Sequence, residues 1–208
     1  MTRHLILATS LLAAFAAAEK YPWLSPVYDY FFQFPLPIPP IKSPIFTASS
    51  RETGLPIDYY EVDIKPLFAQ KYPNLAPTRL VGYDGIVPGP QFRMTQNREA
   101  IVRFINHGDR ANSVHLHGSF SRAPFDGPMT LLKSSNLKTV DHTAENAYFG
   151  QAGAYILHDS EEQSLGIPQG QYDIPLGLAS KRYHANGSLW DPEVNREETS
   201  LYGDVFEV

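Results

Sequence analysis

The amino-acid sequence predicts an all-β protein, either a β-sandwich or a β-barrel. Three observations support this prediction. Short apolar or alternating segments recur along the chain, clusters of Gly, Pro and Asn separate them, and no long segment has the period of an amphipathic helix. The chain has 208 residues, of which 43% are hydrophobic, so it is long enough for one ordinary core and part of a second.

Two segments precede the predicted β-domain. Residues 1–18 have the pattern of a secretory signal peptide, with a positive residue near the start, an apolar centre and small alanines before the expected cleavage point. Residues 19–57 are rich in proline and aromatic residues, and proline at this density opposes helix and interior strand. We therefore expect a secreted protein and an extended arm that wraps over the domain and buries its aromatic rings.

The strands are predicted from local patterns in chain order. Residues 58–66 alternate loosely, with Tyr60, Val62 and Ile64 on one face, which is typical of a half-buried strand. One or two helical turns are predicted at 143–149. Turn residues such as Pro88-Gly89-Pro90 separate the other predicted strands, which are 78–83, one starting at 91, 99–106, 115–117, 153–158, 172–176 and one starting at 204.

His115 and His117 are the candidate metal ligands. Side chains alternate faces along a strand, so the two imidazoles would point the same way, with Cα atoms about 6.6 Å apart and Leu116 facing the opposite layer. Such a pair can bind one metal ion or two adjacent ions, and neutral imidazole suits copper, zinc and iron. The alternative for an arbitrary His-x-His is a pair of polar strand residues that face water.

Composition limits the other classes of function. A formal net charge of −5 and a pI near 5.8 give no reason to expect nucleic acid as a partner. The apolar stretch near the start is too short to predict a membrane span. The sequence has no cysteine, which excludes disulfides, thiolate metal ligands and a blue-copper site within this chain. Asn186-Gly187-Ser188 matches the acceptor pattern for N-glycosylation and lies among turn residues.

Beyond these patterns, nine strings of residues resemble the N-terminal part of fungal multicopper oxidases of the bilirubin-oxidase and laccase-like kind. The longest is the passage from His115-Leu116-His117-Gly118 to Phe125-Asp126-Gly127. The other strings lie at residues 36–40, 58–62, 81–85, 88–90, 103–106, 143–148, 150–153 and 172–175. The resemblance implies a cupredoxin-like Greek-key domain at 58–178, followed at 179–208 by a linker and the start of a second domain.

The resemblance also implies copper as the cofactor and a role for three residues. His115 would bind the type 2 copper, His117 would bind one copper of the type 3 pair, and Asp126 would deliver protons during the reduction of dioxygen. A carboxylate near a metal can relay protons if water links the groups, although an Asp before Gly127 equally fits a turn-capping role. The implied partners are copper ions, dioxygen and a small-molecule reductant such as a phenol or bilirubin.

The sequence departs from the family pattern after Gly127. Residues 128–139 stand in place of a longer family passage that ends in a Trp-Tyr-His-Asp-His motif. His142 lies near the point where the resemblance resumes. Counted back from Tyr148, however, the family's metal ligand lies further upstream, so the resemblance implies that His142 is a neighbour of the site and not a ligand. We therefore expect a truncated chain with an internal deletion, an incomplete domain and no oxidase activity of its own. The alternative is a non-catalytic secreted β-domain with weak or no copper binding.

Overall fold

A computed structural model describes residues 23–110, 112–118, 144–191 and 203–208. This part of the chain is mainly β-structure, which confirms the predicted fold class. Its strands are β1 (Phe46–Ser49), β2 (Pro56–Ala69), β3 (Thr78–Tyr83), β4 (Phe92–Thr95), β5 (Glu99–Asn106), β6 (Tyr155–His158), β7 (Ala179–Lys181) and β8 (Val205–Glu207). Two five-residue helices, α1 (Ala144–Tyr148) and α2 (Ser160–Ser164), and a 3-10 turn (Gly170–Tyr172) complete the described elements.

Strand β2 is the centre of the main sheet. On one edge it pairs antiparallel with β1 and then with β3, and on the other edge it pairs parallel with β5. Two further pairs of strands form separate small sheets: β4 with β6 in parallel, and β7 with β8 antiparallel. A 14-residue strand can serve three partners because β1 occupies its first residues and β3 its last.

The buried face of β2 follows the alternation that the sequence predicts. Tyr60, Val62 and Ile64 are all buried, and Val62 is completely inaccessible. The hydroxyl of Tyr60 lies 3.6 Å from the sulfur of Met94, and its ring meets that of Phe92 edge-on at 5.3 Å between centroids. The main sheet therefore packs against the β4–β6 sheet through these side chains, which gives the two-layer arrangement of a sandwich.

A second cluster of buried side chains joins distant parts of the chain. Tyr72, Leu80, Tyr183 and Leu189 pack together, and the rings of Tyr72 and Tyr183 lie 5.3 Å apart. The hydroxyl of Tyr183 donates to Glu207 of β8. The division of the chain at residue 178 stays a prediction, and the described contacts join residues 179–191 to β3 through this cluster.

Two predicted strands are absent from the described structure. Residues 112–116, which include His115, have no regular secondary structure, and His117 and Gly118 form a turn. Residues 173–178 follow the 3-10 turn without forming a strand. Both predictions were wrong because a strand needs a partner, and short apolar or alternating segments do not show whether one is available.

The prediction that the arm buries its rings was also largely wrong. Trp23, Phe31, Phe32 and Phe34 are exposed, and Phe32 is completely so. Tyr28 and Tyr30 are half-buried. The ring of Tyr28 lies 5.5 Å from the ring of the buried Tyr72 and 5.6 Å from that of Tyr30. The range assigned to the arm also contains strand β1. Within the described residues, no helix combines the length and the apolar character that a membrane crossing requires.

Candidate metal centre

The chain leaves β5 through a turn that hydrogen bonds hold in place. The side-chain oxygen of Asn106 accepts from the backbone N–H of Gly108 at 2.8 Å, and its amide donates to the carbonyl of Arg110 at 2.7 Å. The N–H of His107 also donates to the carbonyl of Ile64 in β2 at 2.8 Å. The main sheet thus fixes the start of the segment that carries the two candidate histidines.

A second anchor joins this segment to the residues that follow helix α1. The amide of Asn112 donates to the side-chain oxygen of Gln151. Gln151 lies just after α1, and its backbone N–H donates to the carbonyl of Asn146 at 3.0 Å. Gln151 lies in one of the strings singled out from the sequence and Asn112 lies three residues before another, but sequence alone does not show that their side chains meet.

His115 and His117 are brought together in the structure. Their ring centroids are 5.6 Å apart and their ring planes meet at 82°. His115 is half-buried, whereas His117 is exposed. The proximity that a strand would have given is therefore reached by an irregular segment that ends in a turn.

Both residues carry an imidazole, a donor group that suits copper. Imidazole nitrogen is a common copper ligand. A metal–nitrogen bond of about 2 Å places the centre of an imidazole ring about 3 Å from the ion. Ring centres 5.6 Å apart are thus within reach of one ion, or of two neighbouring ions.

The number of donors is smaller than a metal site of this type needs. Within the four described ranges, no group of three or more His, Cys, Asp and Glu side chains is arranged to hold a metal ion. Catalytic metal sites typically use three protein ligands. If His115 and His117 bind metal, they supply only part of such a site, and its other ligands would lie outside the described residues.

The remaining predicted site residues cannot be placed in the structure. Asp126, His142 and the atypical passage at 128–139 all lie outside the described residues. The proposed proton-relay role of Asp126 therefore stays a prediction, as do the metal-binding roles of the two histidines.

Two other histidines lie beside carboxylates. The Nε2 atom of His107 is 3.1 Å from Asp63, and the hydrogen bond between them is the main reason that the pKa of Asp63 lies below its ordinary value. The Nδ1 atom of His158 is 2.8 Å from Glu162, one helical turn further along the chain. These contacts hold each of the two rings beside a carboxylate.

A cavity of about 240 Å³ lies between the turn after β5, helix α1 and the loop at 188–191. Arg79 and Asp109 pair at 2.9 Å on its wall. Although burial acts to raise the pKa of Asp109, hydrogen bonds from its own backbone and from Arg79 lower it overall. Neither candidate histidine is among the residues that line this cavity. The lining does include residues that anchor the histidine segment: Asn106, Gly108, Arg110 and Gln151.

Comparison with known sequences indicates the class of protein. A family model for multicopper oxidases matches residues 69–163, which include both histidines. This match supports a member of the multicopper oxidase family, whose members use copper.

Two relatives illustrate the range of the family. A bilirubin oxidase of Albifimbria verrucaria is 46% identical over 206 residues, an alignment that covers 89% of this chain and 36% of that enzyme. A laccase of Bacillus subtilis is 28% identical over 206 residues, covering 76% of this chain and 39% of the laccase. The chain thus spans less than half the length of these relatives.

Solved structures place the fold in the same class. A laccase from Pediococcus acidilactici superposes with a TM-score of 0.69 at 23% sequence identity, covering 92% of this chain and 44% of the laccase. A multicopper oxidase from Campylobacter jejuni gives a TM-score of 0.61 at 15% identity, with 89% and 43% of the two chains covered. These similarities support the predicted cupredoxin-like fold.

Proposed function

We propose that the chain is the copper-binding N-terminal portion of a multicopper oxidase and that His115 and His117 are copper ligands. The observation that carries this proposal is the 5.6 Å separation of the two imidazoles on a segment anchored at Asn112. By the resemblance, His115 serves the type 2 copper and His117 one of the type 3 coppers. Copper bound there would supply electrons for the reduction of dioxygen to water, coupled to the oxidation of a phenol or a bilirubin-like reductant.

The protein's own contribution at this site is to hold the imidazoles. Hydrogen bonds that fix the position of ligand groups commonly raise metal affinity. The bond from Asn112 to Gln151 and the turn held by Asn106 restrain the chain before the first histidine. Asp126 is the proposed proton relay, and it would act by holding and passing a proton to the site.

We further propose that this polypeptide alone has no oxidase activity. At the candidate site the described residues supply two imidazoles where at least three protein ligands are needed. A chain without cysteine also cannot form the type 1 copper centre through which, by the resemblance, the family takes electrons from its substrate. The predicted signal peptide supports secretion of the protein. Weak or absent copper binding would instead favour a non-catalytic secreted β-domain.

Copper titration of the purified chain tests the assignment of the ligands. Isothermal titration calorimetry should show that His115→Ala and His117→Ala each weaken the tightest copper site by at least about tenfold, because a metal ligand is lost. His107→Ala is the matched control, since that imidazole lies beside Asp63 and should leave copper affinity unchanged. Equal affinities for all four proteins would reject the histidine assignment.

Oxygen consumption tests the activity of the chain. The copper-loaded polypeptide, supplied with a phenol as reductant, should consume oxygen no faster than free copper at the same concentration. Sustained uptake that His115→Ala abolishes would overturn the proposed inactivity while supporting the site.

A further inference from the structure

The loop after β7 presents a modification site on the surface. The sequence contains one Asn-x-Ser/Thr pattern, at Asn186-Gly187-Ser188, with glycine rather than proline in the middle. Tyr183 and Leu189 pair across the base of a tight turn, and both are buried in the core. Asn186 lies between them in sequence and is exposed.

The turn is rigid because the main chain beneath it is packed. The N–H of Gly187 donates to the carbonyl of His184 at 2.9 Å, and the hydroxyl of Thr78 donates to the carbonyl of Gly187 at 2.7 Å. Gly187 has φ of 89°, and a Cβ atom there would lie 2.8 Å from the carbonyl oxygen of Ala76. Glycine is therefore required on structural grounds, and the pattern is held in one conformation.

The side chain of Asn186 uses its oxygen for internal hydrogen bonds. Its Oδ1 atom accepts from the N–H of Ser188 at 3.0 Å and from the hydroxyl of Ser188 at 2.8 Å. In the described part of the chain, no hydrogen bond engages its amide nitrogen. The two residues that define the pattern thus contact each other through the oxygen of Asn186, and Asn186 itself is exposed.

We propose that Asn186 carries an N-linked glycan. The donor is an oligosaccharide linked to a lipid pyrophosphate in the secretory pathway. A bond forms between Nδ2 of Asn186 and the first sugar carbon, the bond from that carbon to the pyrophosphate oxygen breaks, and the amide loses one proton. No electrons are exchanged. This proposal rests on the proposed secretion of the protein and is independent of its copper chemistry.

A glycan at this position has a structural consequence. It would occupy the space above the turn between Tyr183 and Leu189, so this surface must face solvent in the mature protein. Any partner or further domain that supplies the missing copper ligands would then have to leave this turn uncovered.

The experiment is secretion of the full chain from a fungal host, once with its own N-terminal residues and once behind a leader of established function. The secreted protein is treated with peptide N-glycosidase in heavy-oxygen water and mapped by mass spectrometry. Wild type and Ser188→Thr, which keeps the pattern, should carry the glycan at Asn186. Asn186→Gln and Ser188→Ala, which destroy the pattern, should carry no glycan at this position, and treatment with the enzyme should leave their masses unchanged.

The two arms separate the possible failures. A glycan in the leader-fused protein but none with the native N-terminus would support the site and contradict the proposed secretion signal. An unmodified Asn186 in leader-fused protein whose leader has been cleaved would overturn the proposal. Ser188→Thr preserves the pattern, so the absence of the glycan from both this variant and wild type would likewise overturn the proposal.

Discussion

Replacing Leu80 with alanine tests whether the cluster on β3 is the core that the structure describes. Leu80 is 1% exposed and packs with Tyr72, Tyr183 and Leu189. Removing the equivalent of three carbon groups costs about 2.4 kcal/mol of transfer free energy, at about 0.8 kcal/mol for each. The neighbouring rings are held by their hydroxyls, Tyr72 to the carbonyl of Pro26 and Tyr183 to Glu207, so the hole should collapse little.

The unfilled hole adds a further cost, and the expected total is about 3–4 kcal/mol. Urea unfolding followed by circular dichroism measures it, as a lower midpoint with an unchanged slope. Leu157→Ala on β6 is the matched control, because that leucine is 66% exposed and its loss should cost no more than about 0.5 kcal/mol. Equal effects of the two substitutions, or a loss below about 1 kcal/mol for Leu80→Ala, would refute the assignment of the core.

Two further predictions concern pH. Hydrogen bonds from Arg98 hold the pKa of Asp58 below its ordinary value of 3.8, so this group stabilises the fold above that value and loses its effect as the pH falls further. Arg98→Ala should lower the melting temperature at neutral pH and reduce the additional loss in acid, whereas Arg103→Ala, in an exposed ion pair, should melt like wild type. Burial lowers the pKa of Lys181 from 10.5 to about 8, while its ammonium group donates to the carbonyl of Tyr148. Between these two values the folded state binds fewer protons than the unfolded state, so the stability of wild type relative to Lys181→Met should rise with pH from about 8 to 10.5. A difference in unfolding free energy that does not change over this range would contradict the burial of this amine.

Strands whose pattern is local were predictable from the sequence. The predicted strands 78–83 and 99–106 coincide with β3 and β5, and the alternation around Val62 identifies the buried face of β2. These segments carry their own signal because one face meets the core and the other does not. Asp58 was not recognised as buried, since a carboxylate can lie there only with partners, here Arg98 and Thr47, that the local pattern does not reveal.

Features that depend on distant contacts were predicted poorly. The exposed rings of the arm and the irregular backbone at His115 both depend on what the rest of the chain offers as a partner. The sequence identified the two histidines and the turn at Asn186, because each is defined by residues close together in the chain. It did not reveal the Asn112–Gln151 anchor, whose two side chains are 39 residues apart.

The central proposal is that both imidazoles of the pair bind copper, and X-ray absorption spectroscopy of the copper-loaded chain tests it most directly. The extended fine structure counts the imidazole ligands on each copper through the scattering of their outer ring atoms. We predict that His115→Ala and His117→Ala each lower this count relative to wild type, while His107→Ala leaves it unchanged. The same imidazole count in all four proteins would contradict the proposed site.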